Sequence, residues 1–172
     1  MAKKKILNKE LKGILSIAGI ILGAIAVIMM FLPAIGIKDS ETYTGLQLAF
    51  GYKTTNDTLL GTVTTVHFDF SFMNLLTYLL LIGGVVFSVL SFINRGGKFA
   101  SFIAMGLTLV AGIFFFLTIS FSVPGANIKV AQPSLILLEN VKEGFVLGVG
   151  SIVGGIVSLL SCACLAVRTF VK

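Results

Sequence analysis

The residues of this chain best suited to chemistry are His67, its single histidine, and Asp69. They belong to the segment TVTTVHFDF, residues 62–70, whose alternating side chains and content of Val, Thr and Phe predict a β-strand. Side chains two positions apart on a strand share a face, so this pair offers a proton acceptor, a pH sensor or two ligands of a metal ion.

A metal or catalytic site needs more partners than this segment provides. Zinc sites normally take three or four nitrogen, sulfur or oxygen ligands, and the chain has no second histidine and no cysteine near His67. We therefore expect His67 to be solvated or paired across the strand, with no metal, no cofactor and no catalytic role. The strand is then an architectural element.

Three residues match patterns of covalent modification. Cys162 and Cys164 lie two positions apart in an apolar segment, so on a helix they point in different directions and do not form a disulfide with each other. We expect them to be small packing residues, with palmitoylation as the alternative. Asn56 begins the triplet NDT, which suits a turn and also fits the N-glycosylation pattern.

Long apolar segments dominate the elements that must position these residues. Of the 172 residues, 56% are hydrophobic and 12% are charged, and the mean hydropathy is +1.05. This is too little charge for the surface of a soluble domain. Four segments without a charged residue each exceed the roughly 20 residues that cross a bilayer. We predict a single-domain, all-α membrane protein with four transmembrane helices, at 13–34, 72–93, 99–123 and 144–167.

The distribution of basic residues predicts the orientation. Nine of the 13 Lys and Arg residues fall in the tails 1–12 and 168–172 and in the short turn 94–98, whereas the outer loops 35–71 and 124–143 hold the other four. The positive-inside rule therefore places both termini in the cytoplasm of a multi-pass cell-membrane protein. Basic tails that face anionic membrane lipids explain the net charge of +6, which gives no indication of nucleic-acid binding.

The first outer loop is predicted to contain a β-hairpin or a small sheet. TYTGLQLAFG at 42–51 and the segment 62–70 are both strand-like, and YKTTND at 52–57 between them is rich in turn formers. Two strands alone are marginal in water, so we expect packing on the second outer loop, a neighbouring subunit or another protein. The second loop is expected to contain a short amphipathic helix within residues 133–144. The expected partner-binding residues are Tyr43, Leu46, Phe50, Tyr52, His67 and Asp69.

Small residues recur at helical spacing in the fourth span. Steps of four and three place them on one helix face, and the first span contains a GxxxG pair, so another helix can approach both spans closely. Two interpretations remain open: packing among the four helices of this chain, or a face for a partner helix. The expected helix-packing residues are Gly19, Gly23, Gly144, Gly148, Ser151, Gly155 and Ser158.

The predicted spans contain no Asp, Glu, Lys, Arg or His. Ion-coupled transporters and proton relays usually place such groups inside the membrane. A membrane hydrolase would need clustered His, Asp or Ser residues, and a membrane oxidoreductase would need exposed cysteine pairs. We therefore expect a protein without enzymatic activity.

The plan of the chain resembles that of the claudin-type tetraspan proteins, with four spans, cytoplasmic termini, a β-rich first outer loop and a shorter second loop. Within the first loop, Gly45 and Leu46 are similar to the Gly-Leu of that family's Gly-Leu-Trp signature, although the chain has no Trp and no cysteine in this loop. The resemblance implies a left-handed four-helix bundle that carries a small extracellular sheet.

These expectations favour a small integral membrane protein that acts as an accessory or scaffold subunit. It would contact other membrane proteins, or copies of itself, through residues 42–70 and through its small-residue helix faces. The alternative is a component of an oligomeric channel or transporter. In that case Asp39, Glu41 and Asp69 would attract cations at the mouth of a shared pore.

Overall fold

Helices account for most of the protein. The structure is a computed structural model, and it describes residues 2–37, 42–57, 63–93, 97–122, 126–131 and 145–170. The helices are, in chain order, α1 (Ala2–Ile28), α2 (Gly45–Phe50), α3 (Phe72–Phe92), α4 (Gly97–Phe116), α5 (Thr118–Ser122) and α6 (Val149–Phe170). Four of them, α1, α3, α4 and α6, contain apolar stretches of 20 to 22 residues, of which the first includes a short 3-10 helix, Met29–Phe31. The predicted set of four helices long and apolar enough to cross a membrane is therefore confirmed, which indicates a multi-pass membrane protein.

Three of the long helices begin or end at positions that differ from those predicted. Regular α1 ends at Ile28, and Pro33 begins a strand, because proline has no N–H and does not continue a helix. The third span breaks at Leu117 before it resumes as α5. The last helix starts at Val149, since residues Phe145–Leu147 pair with another strand.

The four long helices form a ring in which α1 packs on α3 and α6, and α4 packs on the same two helices. Side-chain hydroxyls join α6 to its neighbours. Ser158 Oγ donates to the Thr108 carbonyl of α4 at 2.8 Å, and Ser161 Oγ donates to the Gly19 carbonyl of α1 at 2.7 Å. Lipid offers no hydrogen-bond partners, so these two hydroxyls are satisfied by bonding within the protein. These bonds fix the position of α6 against both helices.

Among the described residues, six strands form two antiparallel sheets at one end of the bundle. Sheet A contains β1 (Pro33–Ile37), β2 (Thr42–Thr44) and β6 (Phe145–Leu147) in the order β2-β1-β6. Sheet B contains β3 (Tyr52–Asp57), β4 (Val63–Phe68) and β5 (Ala126–Ala131) in the order β3-β4-β5. Each sheet therefore combines two strands from before α3 with one strand from between α5 and α6. Strand pairing with the second loop supplies the support that two strands alone would lack.

The structure corrects the strand assignment in the first loop. Segment 42–51, predicted as a strand, forms β2 and then turns into α2, because Thr44 and Gln47 make a capping box. The Gln47 N–H donates to Thr44 Oγ1 at 3.4 Å, and the Thr44 N–H donates to Gln47 Oε1 at 2.8 Å. Segment 52–57, predicted as a turn, is β3 and pairs with β4 along its whole length. The helix predicted within 133–144 lies outside the described residues, as do Asp39 and Glu41.

Candidate interaction surface at the sheet end

Three buried aromatic side chains join the two sheets, and the partly exposed ring of Tyr52 on β3 adds a further contact, with its centroid 6.1 Å from that of Tyr43. Phe68 of sheet B packs edge-on against Tyr43 of sheet A, with ring centroids 4.8 Å apart, and its centroid lies 5.9 Å from that of Phe145. Phe68 is 1% exposed, and Ile35 and Leu48 belong to the same buried cluster. The aromatic core (Tyr43, Phe68 and Phe145) therefore couples strands from both loops into one unit.

Hydrogen bonds attach this unit to the ends of the long helices. The Gly148 N–H, immediately before α6, donates to the Ala34 carbonyl of β1 at 2.8 Å. The Ser71 N–H, immediately before α3, donates to the Ala49 carbonyl of α2 at 3.2 Å, and Ser71 Oγ donates to the Phe121 carbonyl of α5 at 3.1 Å. The two sheets therefore hold a defined position relative to the membrane-length helices.

His67 and Asp69 lie next to each other at this end. Nδ1 of His67 is 3.3 Å from Oδ1 of Asp69, and the two side chains are 42% and 55% exposed. Among the residues that the structure describes, no group of three or more His, Cys, Asp or Glu side chains is placed to hold a metal ion. An exposed pair of this kind contributes about 0–1 kcal/mol to stability.

The other predicted contact residues divide into buried and exposed groups. Tyr43 is buried in the aromatic core, and Leu46 is half-buried on α2. Phe50 and Tyr52 are 62% and 37% exposed. They flank Gly51, whose φ of +83°, readily adopted by glycine, turns the chain from α2 into β3. Because β3 is an edge strand of sheet B, these exposed rings lie beside a strand edge.

Phe70 and Phe72 are exposed aromatic side chains at this end that were not among the named contact residues, although Phe70 closes the predicted contact region 42–70. Phe70 and Phe72 lie on either side of Ser71, where α3 begins, and both are more than half exposed. Aromatic residues are enriched where a membrane span meets water, so these rings suit the membrane interface. The available signal was the sequence FDFSF at the predicted boundary between loop and span.

The small residues predicted on the α6 face lie against other parts of this chain. Gly148 packs against the backbone of β1, where an added Cβ would overlap carbonyl atoms. A Cβ built on Gly155 would lie 2.7 Å from an aromatic ring of α4. Ser151 and Ser158 are fully buried, and Gly144 lies outside the described residues.

The glycine pair of the first span is placed in the same way. Gly19 lies against Leu165 of α6, and a Cβ built on Gly23 would come within 2.8 Å of Val85 of α3. These close approaches let the backbones of α1, α3 and α6 pack tightly within one chain.

Comparisons with known proteins found no match: no protein-family model, curated protein or solved structure matches the chain. The four membrane-length helices agree with the tetraspan part of the claudin-type plan. No family match supports an assignment to the claudins themselves.

Proposed function

We propose that this protein is a non-enzymatic integral membrane subunit whose sheet end binds another membrane protein. The observation that carries the proposal is the construction of that end. Two loops distant in sequence form one unit around the aromatic core, and exposed rings of Phe50 and Tyr52 border the edge strand β3. A preformed surface loses little conformational freedom on binding, and exposed aromatic side chains are favoured in protein interfaces.

Edge strand β3 supplies a mode of recognition. Within the described residues its one strand neighbour is β4, and under this proposal the backbone N–H and C=O groups along its other side pair with the partner. An extended segment that adds to such an edge gains affinity from main-chain hydrogen bonds and specificity from side-chain pockets. Lys53 is exposed on β3, and charged side chains on an edge discourage pairing between identical strands. The preferred partner is therefore a different protein and not a second copy.

The placement of the sheet end outside the cell is part of the proposal and rests on the distribution of the basic residues. The partner segment would then come from an extracellular loop or domain of a neighbouring membrane protein. The small-residue faces of α1 and α6 support the bundle under this proposal, because they are occupied within the chain.

The alternative, an oligomeric channel or transporter, gains no conducting path from the interior of one bundle. The hydroxyl groups of Thr77, Ser88 and Thr108 donate to carbonyls four residues earlier in their own helices, at 2.8 to 2.9 Å. Hydroxyls used in this way have no proton left to donate inside a single bundle, so the alternative requires a path formed between copies of the chain.

The test uses a photo-crosslinking amino acid placed at Tyr52 in the full chain, in native membranes. The matched control position is Leu79, which is exposed in the middle of α3 and faces lipid under this proposal. We expect a protein adduct of defined mass from position 52 and none from position 79. The identified partner should then co-purify less with Phe50→Ala and Tyr52→Ala, and equally well with Phe99→Ala, a ring removed at the other end.

Two results would contradict the proposal. Lipid adducts alone from position 52 would mean that these rings face the bilayer and bind no protein. An adduct of two copies of this chain would mean that the sheet end binds a second copy and not a different protein, and would favour an oligomeric assembly.

A further inference from the structure

A cavity of about 290 Å³ opens at the end of the bundle opposite the two sheets. Its volume is roughly ten times the ~30 Å³ share of one molecule in liquid water, so a phosphate-sized group with several waters fits inside. All four long helices contribute to its lining, which includes Lys12 of α1, Ser91 of α3, Lys98 and Ser101 of α4, and Arg168 and Thr169 of α6.

A polar network holds Arg168 in this cavity. Its Nη1 donates to Ser91 Oγ at 2.9 Å, and its Nη2 donates to the Ser91 carbonyl at 3.0 Å. Ser91 Oγ lies 2.5 Å from Ser101 Oγ, so α6, α3 and α4 meet at this point. A guanidinium carries five N–H donors. Its bonds to described residues use two of them, which leaves three for a ligand.

The three cations Lys12, Lys98 and Arg168 line the cavity without a carboxylate partner among the described residues. The side-chain contact between His67 and Asp69 lies at the opposite end of the bundle. The cavity also opens at the first residues of the 20-residue helix α4, where the helix dipole adds positive potential. Like charges around one space repel each other, so an anion that enters gains attraction from all three and relieves their repulsion.

We infer that this cavity binds the phosphate group of an anionic membrane phospholipid. Arginine and lysine are the side chains that recognise phosphate, and the N–H groups of Arg168 that are not bonded to Ser91 can donate to its oxygens. Basic pockets between membrane helices take anionic headgroups, because a lipid enters from the side where the span meets water.

The surroundings of the cavity favour a lipid over a free phosphate ion. Phe102 follows Ser101 on α4, and Phe170 follows Thr169 on α6. Both rings are exposed, and their centroids lie 6.2 Å apart. They offer an apolar contact for an acyl chain whose headgroup lies among the cations.

The test is native mass spectrometry of the full chain, released from nanodiscs that contain equal amounts of dioleoylphosphatidylglycerol and dioleoylphosphatidylcholine. The wild-type protein should retain one phosphatidylglycerol in preference to phosphatidylcholine. Lys12→Gln and Lys98→Gln should each weaken this retention about fivefold, the effect of one cation near an anionic lipid surface. Arg168→Gln should weaken it more. Lys53→Gln, which makes the same change of charge at the sheet end, should leave retention unchanged.

Some results would overturn the site itself, and another would overturn the lipid as its occupant. Equal retention of both lipids, or an equal loss in Lys53→Gln, would overturn the site. Binding of inorganic phosphate in detergent that depends on Lys12 and Lys98, without retention of phosphatidylglycerol, would overturn the lipid as occupant. Because Arg168→Gln also removes the bonds to Ser91, the two lysine variants carry the test if that variant fails to fold.

Discussion

Replacement of Phe68 by alanine should open the sheet end and leave the four long helices folded. The ring of Phe68 is buried and contacts both Tyr43 and Phe145, so it forms the joint between sheets A and B. Truncation of a buried Phe to Ala costs about 3–5 kcal/mol, which includes the loss of its aromatic pairs. The helices depend instead on contacts within the bundle, such as the bond from Ser161 to Gly19.

Hydrogen–deuterium exchange of the protein in nanodiscs measures this effect segment by segment. Where exchange reports the local opening equilibrium, amides in β1, β2, β4 and β6 should exchange roughly 140- to 3700-fold faster in Phe68→Ala, since ~1.4 kcal/mol corresponds to a factor of ten. Amides in the middle of α3 and α6 should change little. The matched control is Phe50→Ala, which removes the same side chain from an exposed position and should leave the sheets as protected as in the wild type.

Two outcomes would refute this reasoning. Unchanged exchange in the sheets of Phe68→Ala would show that the aromatic core does not couple them. Equal acceleration in α3 and α6 would show that sheets and helices unfold together, so that the sheet end has no stability of its own.

Two further predictions concern packing and orientation. Gly148→Ala should lower the free energy of unfolding, measured by thermal unfolding, by about 1–3 kcal/mol, because its methyl group would overlap the backbone of β1. The control is Gly13→Ala, in which the added carbon has no neighbouring atom within 4 Å. An equal loss of stability in both variants would contradict this argument. In a cysteine-free background, Phe50→Cys should react with a membrane-impermeant maleimide on intact cells and Phe99→Cys only after permeabilisation; the opposite pattern would reverse the orientation predicted from the basic residues.

The membrane-length helices were predictable because the signal is local and strong. A charge-free segment of more than about 20 residues satisfies its backbone hydrogen bonds in lipid only as a helix, whatever its neighbours are. The exact ends were not predictable in this way. Pro33 marked the end of the first helix, but the late start of α6 depends on β6 pairing with β1, a partner more than a hundred residues away.

The first loop shows where local patterns mislead. Residues 52–57 contain Thr, Asn and Asp, which suit a turn, yet the two threonines are also β-branched and suit a strand. Pairing with β4 along the whole segment decided between these possibilities. Gln47 carried a readable signal, since Thr44 with Gln47 three positions later is a capping box that starts α2.

The sequence by itself determined the four apolar helices, the small residues that let them approach and the presence of strand-forming segments near the first loop. Each of these follows from neighbouring residues, through hydropathy, helical spacing or alternation. Only the tertiary structure decided that Tyr43, Phe68 and Phe145 join two sheets. It alone also gathered Lys12, Lys98 and Arg168 around one cavity. Such groupings depend on the path of the chain between distant positions, and that path is set by the packing of the whole bundle and not by any local pattern.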